Sequence, residues 1–277
     1  MKISHLFIFL CCLVQNTFAQ KKPDTLFYDN FTGKTINRDK WNVEATGYTF
    51  NGYIFNHEQQ AYVDSANVLL VANGLLHIKP RYLPGYTTMQ QKLDFLSGRI
   101  NTRGKFMFTY GTISARIKST AGDGLWPTFW IIGDGNWPEC GESDIMENIG
   151  DPSWTNHAVH GPGYSGATPL LQRNYFAKGT DVTKWHVYTL NWTADKFTFS
   201  IDGTVTYTVT KEMVEKYGRW VFDSPKFITL NLALGGDYPY AINHVTTPYH
   251  GLPQSTVDQV KAGKADLWVD WVLVTRN

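Results

Sequence analysis

The sequence contains no apolar run long enough to cross a membrane. Its longest such run, residues 6–14, falls well short of the ~20 residues that span a bilayer. Lys2 precedes this run and Thr17, Phe18 and Ala19 follow it, which is the order of a basic region, an apolar region and a small-residue cleavage site. We therefore predict a signal peptide over residues 1–19, cleaved near Ala19, and a secreted protein, extracellular or periplasmic, with no membrane insertion.

Cysteine is also scarce, which excludes a disulfide framework. Two of the three cysteines, Cys11 and Cys12, lie in the predicted signal peptide, so the mature chain keeps Cys140 alone. A single thiol cannot form an internal disulfide. We expect packing to stabilise the fold, with a bound metal ion as the one further candidate.

Neither sign of charge is in excess. The 25 lysines and arginines, set against 24 aspartates and glutamates, leave a formal net charge of +1. No strong field therefore draws the protein to nucleic acid or to an anionic membrane. We expect a neutral partner, no nucleic acid and a monomeric chain.

Helical periodicity is nearly absent, whereas short alternations of apolar and polar residues, separated by Gly, Pro, Asn and Asp, are common. Such alternation predicts strands, for example over residues 67–79, 110–118, 186–191, 196–202 and 267–275. Asp202-Gly203 predicts a tight hairpin between two of these runs. Residues 211–217 and 255–262 are candidates for one or two helical turns. The pattern favours a two-layer β-sandwich formed by one domain over residues 20–277.

Three acids lie within six residues of an otherwise apolar strand: Glu142, Asp144 and Glu147. Because side chains alternate along a strand, Glu142 and Asp144 share one face and Glu147 falls on the other. A β-bulge near Ile145-Met146 would return Glu147 to the face of its partners, and bulges occur next to active sites. A solvated acidic edge or a calcium loop is the structural alternative.

This strand can supply the two carboxyl groups of a retaining glycosidase, which lie ~5–5.5 Å apart and act as nucleophile and acid/base. Asp144 between them would hydrogen-bond the nucleophile and keep the proton on the acid, because neighbouring like charges separate carboxyl pKa values. The strand therefore predicts Glu142 and Glu147 as the catalytic pair.

Several side chains near the acidic strand are candidates for binding sugar. Aromatic residues make up 15% of the chain, and Trp126, Trp130 and Trp137 bracket the acids; tryptophan is rarely fully buried, although a core role is the alternative. Arg116 lies opposite the apolar face of its strand, which predicts that it points away from the core and into a cleft. His160 is expected to hydrogen-bond Glu147 or a sugar hydroxyl, with a structural role as the alternative.

Ordered motifs extend over nearly the whole predicted mature chain. They lie at residues 28–31, 110–111, 115–118, 124–130, 137–142, 160–166, 230–236 and 269–272. Together they resemble glycoside hydrolase family 16, specifically the laminarinases, which are endo-β-1,3-glucanases with a bulged E-x-D-x-x-E motif. Two departures are visible: Ser143 replaces an aliphatic residue, and Asn156 stands where close relatives often have a histidine.

The resemblance implies a concanavalin-like jelly roll of two antiparallel sheets, with an open substrate cleft on the concave sheet. It implies Glu142 as nucleophile, Asp144 as assisting carboxylate and Glu147 as general acid/base, with no cofactor for catalysis. It also implies that Asn56 and Glu58 contact sugar at the glycone end and that Asn231 faces the cleft.

The substrate implied by the resemblance is a β-linked polysaccharide. Met146 in the bulge favours β-1,3-glucans of the laminarin type, or marine galactans, over mixed-linkage glucan or xyloglucan. A retaining β-galactanase acting on agar, porphyran or β-1,3-galactan is the alternative enzyme, and a transglycosylase uses the same intermediate. A non-catalytic lectin-like protein would keep the tryptophans but has no need of three clustered acids.

The resemblance further implies a structural Ca²⁺ on the convex face, bound by the Asp270 side chain and the Gly74 carbonyl. Asp270 lies in an otherwise apolar strand, where an unpaired carboxylate is unfavourable, and Ca²⁺ is a hard cation that binds ~6–8 oxygens. Asn30 replaces an acid there, which removes one ligand charge. The alternative partners of Asp270 are backbone N–H groups or a basic side chain.

Overall fold

The computed structural model describes residues 24–45, 55–88 and 91–277, so the predicted signal peptide lies outside the described residues. Within them, no helix is both long and apolar enough to cross a membrane. In chain order, the strands are β1 (Thr25–Asp29), β2 (Asn42–Val43), β3 (Gln60–Tyr62), β4 (Leu69–Ala72), β5 (Leu75–Ile78), β6 (Arg81–Thr87), β7 (Lys92–Ser97), β8 (Arg99–Asn101), β9 (Gly111–Ser119), β10 (Leu125–Gly133), β11 (Glu142–Glu147), β12 (Trp154–His160), β13 (Leu171–Tyr175), β14 (His186–Trp192), β15 (Lys196–Ile201), β16 (Thr204–Thr210), β17 (Lys226–Leu234) and β18 (Leu267–Thr275). The helices are α1 (Lys211–Glu215), α2 (Asp237–Asn243) and α3 (Gln254–Lys261).

The outer sheet has the strand order β16-β15-β14-β9-β18-β5-β4, and β1 also pairs with β18. Side chains of β9 and β14 alternate strictly between buried and partly exposed, as expected for a sheet with one face on the core. The predicted hairpin at Asp202-Gly203 is confirmed, since it joins β15 to β16. The predicted run 67–79 is a second hairpin, β4 to β5, which turns at Asn73 and Gly74, both with positive φ.

The inner sheet has the strand order β13-β12-β11-β10-β17-β8-β2. Its interior strand β17 is buried along its whole length, because one face packs on the core and the other lies under the side chains of a cleft. Both large sheets are antiparallel, so the predicted β-sandwich is confirmed. A small third sheet, β3-β7-β6, contains a parallel pair, β3 with β7, that the sequence pattern did not predict.

Two of the three helices among the described residues were predicted. Helix α1 begins after Thr210, whose hydroxyl accepts a hydrogen bond from the Met213 backbone N–H and so caps the first turn. Helix α3 buries Val257 and Val260 against the fold. Helix α2, which follows Gly235-Gly236, was not predicted; it brings Tyr238 into contact with Asn156 of β12 and Trp126 of β10.

A β-bulge interrupts β11, as predicted. On the β10 side, Phe129 pairs with Met146 while the next residue, Trp130, pairs with Asp144, so Ile145 has no partner there. The register to β12 also shifts between Asp144 and Glu147. Ile145 and Met146 pack in the core, and the bulge therefore returns Glu147 to the face of the other two acids.

Candidate active site

A cleft on the inner sheet collects most of the candidate residues. Its floor is formed by β10, β11 and β17, and one end is closed by the 3-10 turn Phe55–His57 and by β8. The lining side chains are Glu44, Phe55, Asn56, Glu58, Tyr62, Arg99, Trp126, Thr128, Trp130, Ile132, Trp137, Glu142, Asp144, Glu147, Asn231 and Ala233.

The three acids of β11 face this cleft together. Asp144 and Glu147 are only 3% and 8% exposed, while Glu142 is partly exposed. This burial rules out a solvated acidic edge. His160 Nε2 lies 3.1 Å from Asp144 Oδ2. Among the described residues, Glu142, Asp144 and His160 are also the one group of His, Cys, Asp and Glu side chains with metal-ligand spacing.

Burial raises the pKa of every carboxyl group in the cluster. Burial, followed by the negative charge of Asp144, raises the pKa of Glu142 to about 8. Burial raises the pKa of Asp144 to about 7, and burial with the charge of Asp144 raises that of Glu147 to about 7. Because the groups interact, their protons belong to the cluster as a whole. The cluster therefore retains a proton near neutral pH.

Glu147 is held at both carboxyl oxygens. The indole N–H of Trp126 donates to Oε1 at 2.8 Å, and the amide N–H of Asn156 donates to Oε2 at 2.7 Å. Both bonds favour the ionised form and limit the rise in the pKa of Glu147 that burial causes. The Glu147 carboxyl group consequently has a fixed orientation.

One end of the cleft contains a partly buried charged network, of which only Glu58 was predicted from the sequence. Glu58 accepts hydrogen bonds from Gln60 at 2.6 Å and from Tyr62 at 3.3 Å, and burial raises the pKa of Glu58. Arg99 forms an ion pair with Glu44 at 3.3 Å. Arg99 was not selected as a candidate, because its only sequence signal is a single arginine at the start of the short strand β8.

The structure places six of the eight predicted sugar-binding residues in the cleft. These six are Trp126, Trp130, Trp137, Asn56, Glu58 and Asn231. Their exposure differs: Trp137 is 48% exposed, whereas Trp130 is buried and donates its indole N–H to Asn231 at 2.8 Å. Trp130 also lies under the Arg99 guanidinium, 4.7 Å from its ring centre. Trp137 is thus the tryptophan best placed to meet a sugar ring.

Two predictions about individual side chains need correction. His160 contacts Asp144, not Glu147, because Asn156 takes the position on β12 opposite Glu147. Arg116 is not in the cleft: it lies on β9 of the outer sheet, where it pairs with Asp270 at 2.6 Å and stacks on Trp185. Alternation correctly identified the face of the strand that points away from the core, but it does not reveal to which sheet a strand belongs.

Asp270, the predicted Ca²⁺ ligand, has a different partner in the structure. Asp270 lies at a register shift between β18 and β9, and its carboxylate is bound by the Arg116 guanidinium. The carboxylate therefore has a cationic partner, which was the stated alternative to a metal ion. Gly74 lies in the β4–β5 turn. The donor set does not fit a calcium site built on a free Asp270 carboxylate, and the ion pair with Arg116 is the better-supported role of Asp270.

A β-sandwich whose inner sheet presents paired carboxyl groups in a tryptophan-lined cleft has the architecture and the chemistry of a glycoside hydrolase. The chain belongs to the family described as glycosyl hydrolases family 16, which matches residues 53–251. This membership confirms the family resemblance, and together with the hydrolases among the relatives it confirms the prediction of an enzyme. Hydrolysis by paired carboxyl groups needs no cofactor.

Known proteins agree with this assignment. The glucan endo-1,3-beta-glucosidase A1 of Niallia circulans is 31% identical over 237 residues, 77% of this chain and 34% of that protein. The keratan-sulfate endo-1,4-beta-galactosidase of Sphingobacterium multivorum is 26% identical over 264 residues, 91% of this chain and 58% of that protein. This chain therefore spans only part of the length of each of these two relatives.

Among solved structures, the endo-beta-1,3-glucanase from Pyrococcus furiosus is similar with a TM-score of 0.80 and 34% identity. The match covers 91% of this chain and 94% of that one. This similarity confirms the predicted jelly roll.

Proposed function

We propose that the chain is a secreted, retaining endo-hydrolase of a β-linked polysaccharide, with a β-1,3-glucan of the laminarin type as its substrate. The observation that carries the proposal is the bulge in β11, which aligns three acids in one cleft. The β-1,3 linkage is supported by the names of the Niallia circulans relative and of the Pyrococcus furiosus structure. Residues 1–19 act as the signal peptide, and residues 20–277 contain the catalytic domain.

In the first chemical step, the Glu142 carboxylate attacks the anomeric carbon while Glu147 donates its proton to the glycosidic oxygen. The bond between the sugar and the leaving chain breaks, and a glycosyl ester forms on Glu142. Burial raises the pKa of Glu142 to about 8, and the charges of His160 and Arg99 oppose this rise and so favour the ionised form that the attack requires. Asp144 and its partner His160 lie beside Glu142 and hold the cluster in position.

In the second step, a water molecule cleaves the ester. Ionised Glu147 takes a proton from the water as the water oxygen attacks the anomeric carbon, and the Glu142 carboxylate leaves. Two inversions at the same carbon give a product of retained configuration. The raised pKa of Glu147, about 7, suits a group that donates a proton in one step and accepts it in the next.

The proposal is tested by incubating the purified protein with laminarin, agar, porphyran and a β-1,3-galactan and measuring the length of the products. We expect a ladder of short oligomers from laminarin at early times, as endo-cleavage requires. Glu142→Gln, which removes the nucleophile but keeps its shape, is the matched control for contaminating activity. Degradation of a galactan with intact laminarin would refute the substrate proposed here while leaving the family unchanged.

A β-galactan is the second candidate substrate. The observation that favours it is the similarity to the Sphingobacterium multivorum protein, whose name specifies a β-galactosidase acting on keratan sulfate. The same two-step chemistry applies to either sugar, because gluco- and galactosides differ in the orientation of one hydroxyl group. The panel of polysaccharides distinguishes the two candidates.

A further inference from the structure

We propose that Tyr238 and Asn156 are positioning residues for Glu147: the Tyr238 hydroxyl fixes the orientation of the Asn156 amide, and that amide fixes the carboxyl group that protonates the leaving oxygen. The inference rests on the proposed role of Glu147 as acid/base. It adds a residue from helix α2, outside the inner sheet, to the machinery of the reaction.

Asn156 is completely buried on β12 and pairs in register with Glu147 on β11. Its amide nitrogen donates to Glu147 Oε2 at 2.7 Å, and its amide oxygen accepts from the Tyr238 hydroxyl at 3.1 Å. Both ends of the amide are therefore used. Rotating the amide by half a turn would place its oxygen against the carboxylate and its N–H₂ group against the tyrosine.

Tyr238 selects one of these two orientations because it is a hydrogen-bond donor. Burial, followed by the negative charge of Glu147, raises the pKa of Tyr238 well above its ordinary value, so the phenol stays protonated. An ionised carboxylate only accepts, so Glu147 takes the amide N–H₂ group, and the Tyr238 O–H, whose oxygen already accepts a hydrogen bond from Arg173, donates to the amide oxygen that faces it. The Tyr238 ring is itself packed edge-on against Trp126, with ring centres 5.6 Å apart.

The arrangement determines where a proton on Glu147 can point. Each carboxyl oxygen already accepts one N–H group, from Trp126 on Oε1 and from Asn156 on Oε2. When Glu147 is protonated, its O–H group cannot point toward either N–H donor, because two donors repel each other. The O–H group therefore points into the cleft. The titratable or charged groups that act on Glu147 and Tyr238 are Glu142, Asp144, His160 and Arg173, and none of them donates a hydrogen bond to Glu147 in place of Asn156.

The test uses two substrates that differ in how much acid catalysis they need. A polysaccharide has a poor leaving group and requires a proton from Glu147, whereas a dinitrophenyl β-glycoside of the same sugar leaves without one. In Tyr238→Phe we expect kcat/KM to fall about 10-fold on the polysaccharide, a modest part of the 10²–10⁴-fold that general acid catalysis supplies. On the dinitrophenyl glycoside we expect no change.

Tyr240→Phe is the matched control, because Tyr240 lies on the same helix and stacks on His250, away from Glu147. It should behave like the unmodified protein on both substrates. A second readout is the alkaline limb of the pH profile of kcat/KM: Asn156→Leu removes a bond to ionised Glu147, which raises the pKa of that group and moves the limb to higher pH.

Equal losses on both substrates in Tyr238→Phe, or an unchanged polysaccharide rate, would overturn the inference, since a purely structural role does not depend on the leaving group. If Asn156→Leu does not fold, the leaving-group comparison in Tyr238→Phe still decides. Failure of the proposed function is recognised separately, because the unmodified protein would then cleave none of the β-1,3-glucans, and the comparison would use the polysaccharide that it does cleave.

Discussion

The indole N–H of Trp126, on β10, donates a hydrogen bond of 2.8 Å to Glu147, on the neighbouring strand β11. The same side chain lines the cleft. A tryptophan selected from the sequence as a sugar platform is therefore also a hydrogen-bond partner of the proposed acid/base. The two roles can be separated by a substitution that keeps an aromatic ring and removes the N–H group.

Trp126→Phe should impair catalysis more than binding. A hydrogen bond to a charged group contributes about 1.5–3 kcal/mol, so we expect kcat/KM on the polysaccharide to fall roughly 10- to 100-fold. KM should change little, because an aromatic face remains in the cleft. Steady-state kinetics measure both quantities, and an unchanged kcat with a large rise in KM would mean that Trp126 acts only as a platform.

Trp137→Ala should impair binding without loss of stability. Trp137 is 48% exposed and lines the cleft, so its removal takes a stacking surface from the sugar and leaves the core intact. We expect KM to rise while the melting temperature stays unchanged. Trp192→Ala is the contrasting variant: Trp192 is fully buried, and its truncation should cost about 3–5 kcal/mol. A similar loss in Trp137→Ala would place that side chain in the core.

Asp270 provides a test of metal against ion pair. Its carboxylate is already bound by Arg116, so we expect thermal melts to be the same in calcium and in chelator. Arg116→Met should leave KM unchanged and lower stability by at most about 1 kcal/mol, since the pair is partly exposed. A melting temperature that rises with calcium would show that the native state binds the metal ion. A raised KM would show that Arg116 takes part in substrate binding.

The pH dependence of stability follows from the raised carboxyl pKa values. Glu142 has an ordinary value of 4.5 and about 8 in the folded protein, so between these pH values the native state binds more protons than the unfolded chain. Stability therefore falls as pH rises through this window. Glu142→Gln cannot ionise and should melt at least about 2–4 °C above the unmodified protein at pH 8, the shift that about 1 kcal/mol produces.

At pH 3, below the ordinary pKa of 4.5, the same substitution should have little effect on the melting temperature, because the glutamic acid is then protonated in both states. Tm measurements at the two pH values check the sign as well as the size. An equal difference at both values would mean that Glu142 titrates normally in the fold.

The strand pattern and the bulge could be predicted because both depend on local alternation. Three acids at this spacing in an apolar strand can share a face only if one residue is bulged. The bulge was predicted near Ile145-Met146, and the register shift lies at Ile145. The hairpin at Asp202-Gly203 was predictable for a similar local reason.

What could not be predicted depends on contacts between distant segments. Alternation placed Arg116 on an outward face, but which sheet contains β9 is decided by its pairing with β14 and β18. Arg99 lines the cleft from a three-residue strand, and Tyr238 contacts Asn156 and Trp126 from a seven-residue helix. Elements this short carry too little periodicity to be recognised, and their contribution to the site is visible only in the fold.

The central claim, that Glu142 is the nucleophile and Glu147 the acid/base of a retaining enzyme, is tested most directly by azide rescue with an activated substrate. In Glu147→Ala the glycosyl ester on Glu142 still forms, so azide should attack it and give a glycosyl azide of retained configuration. In Glu142→Ala azide should displace the leaving group directly and give the inverted product. NMR of the azide products measures the configuration at the anomeric carbon. An inverted azide from Glu147→Ala together with a retained azide from Glu142→Ala would contradict the assignment and exchange the two roles.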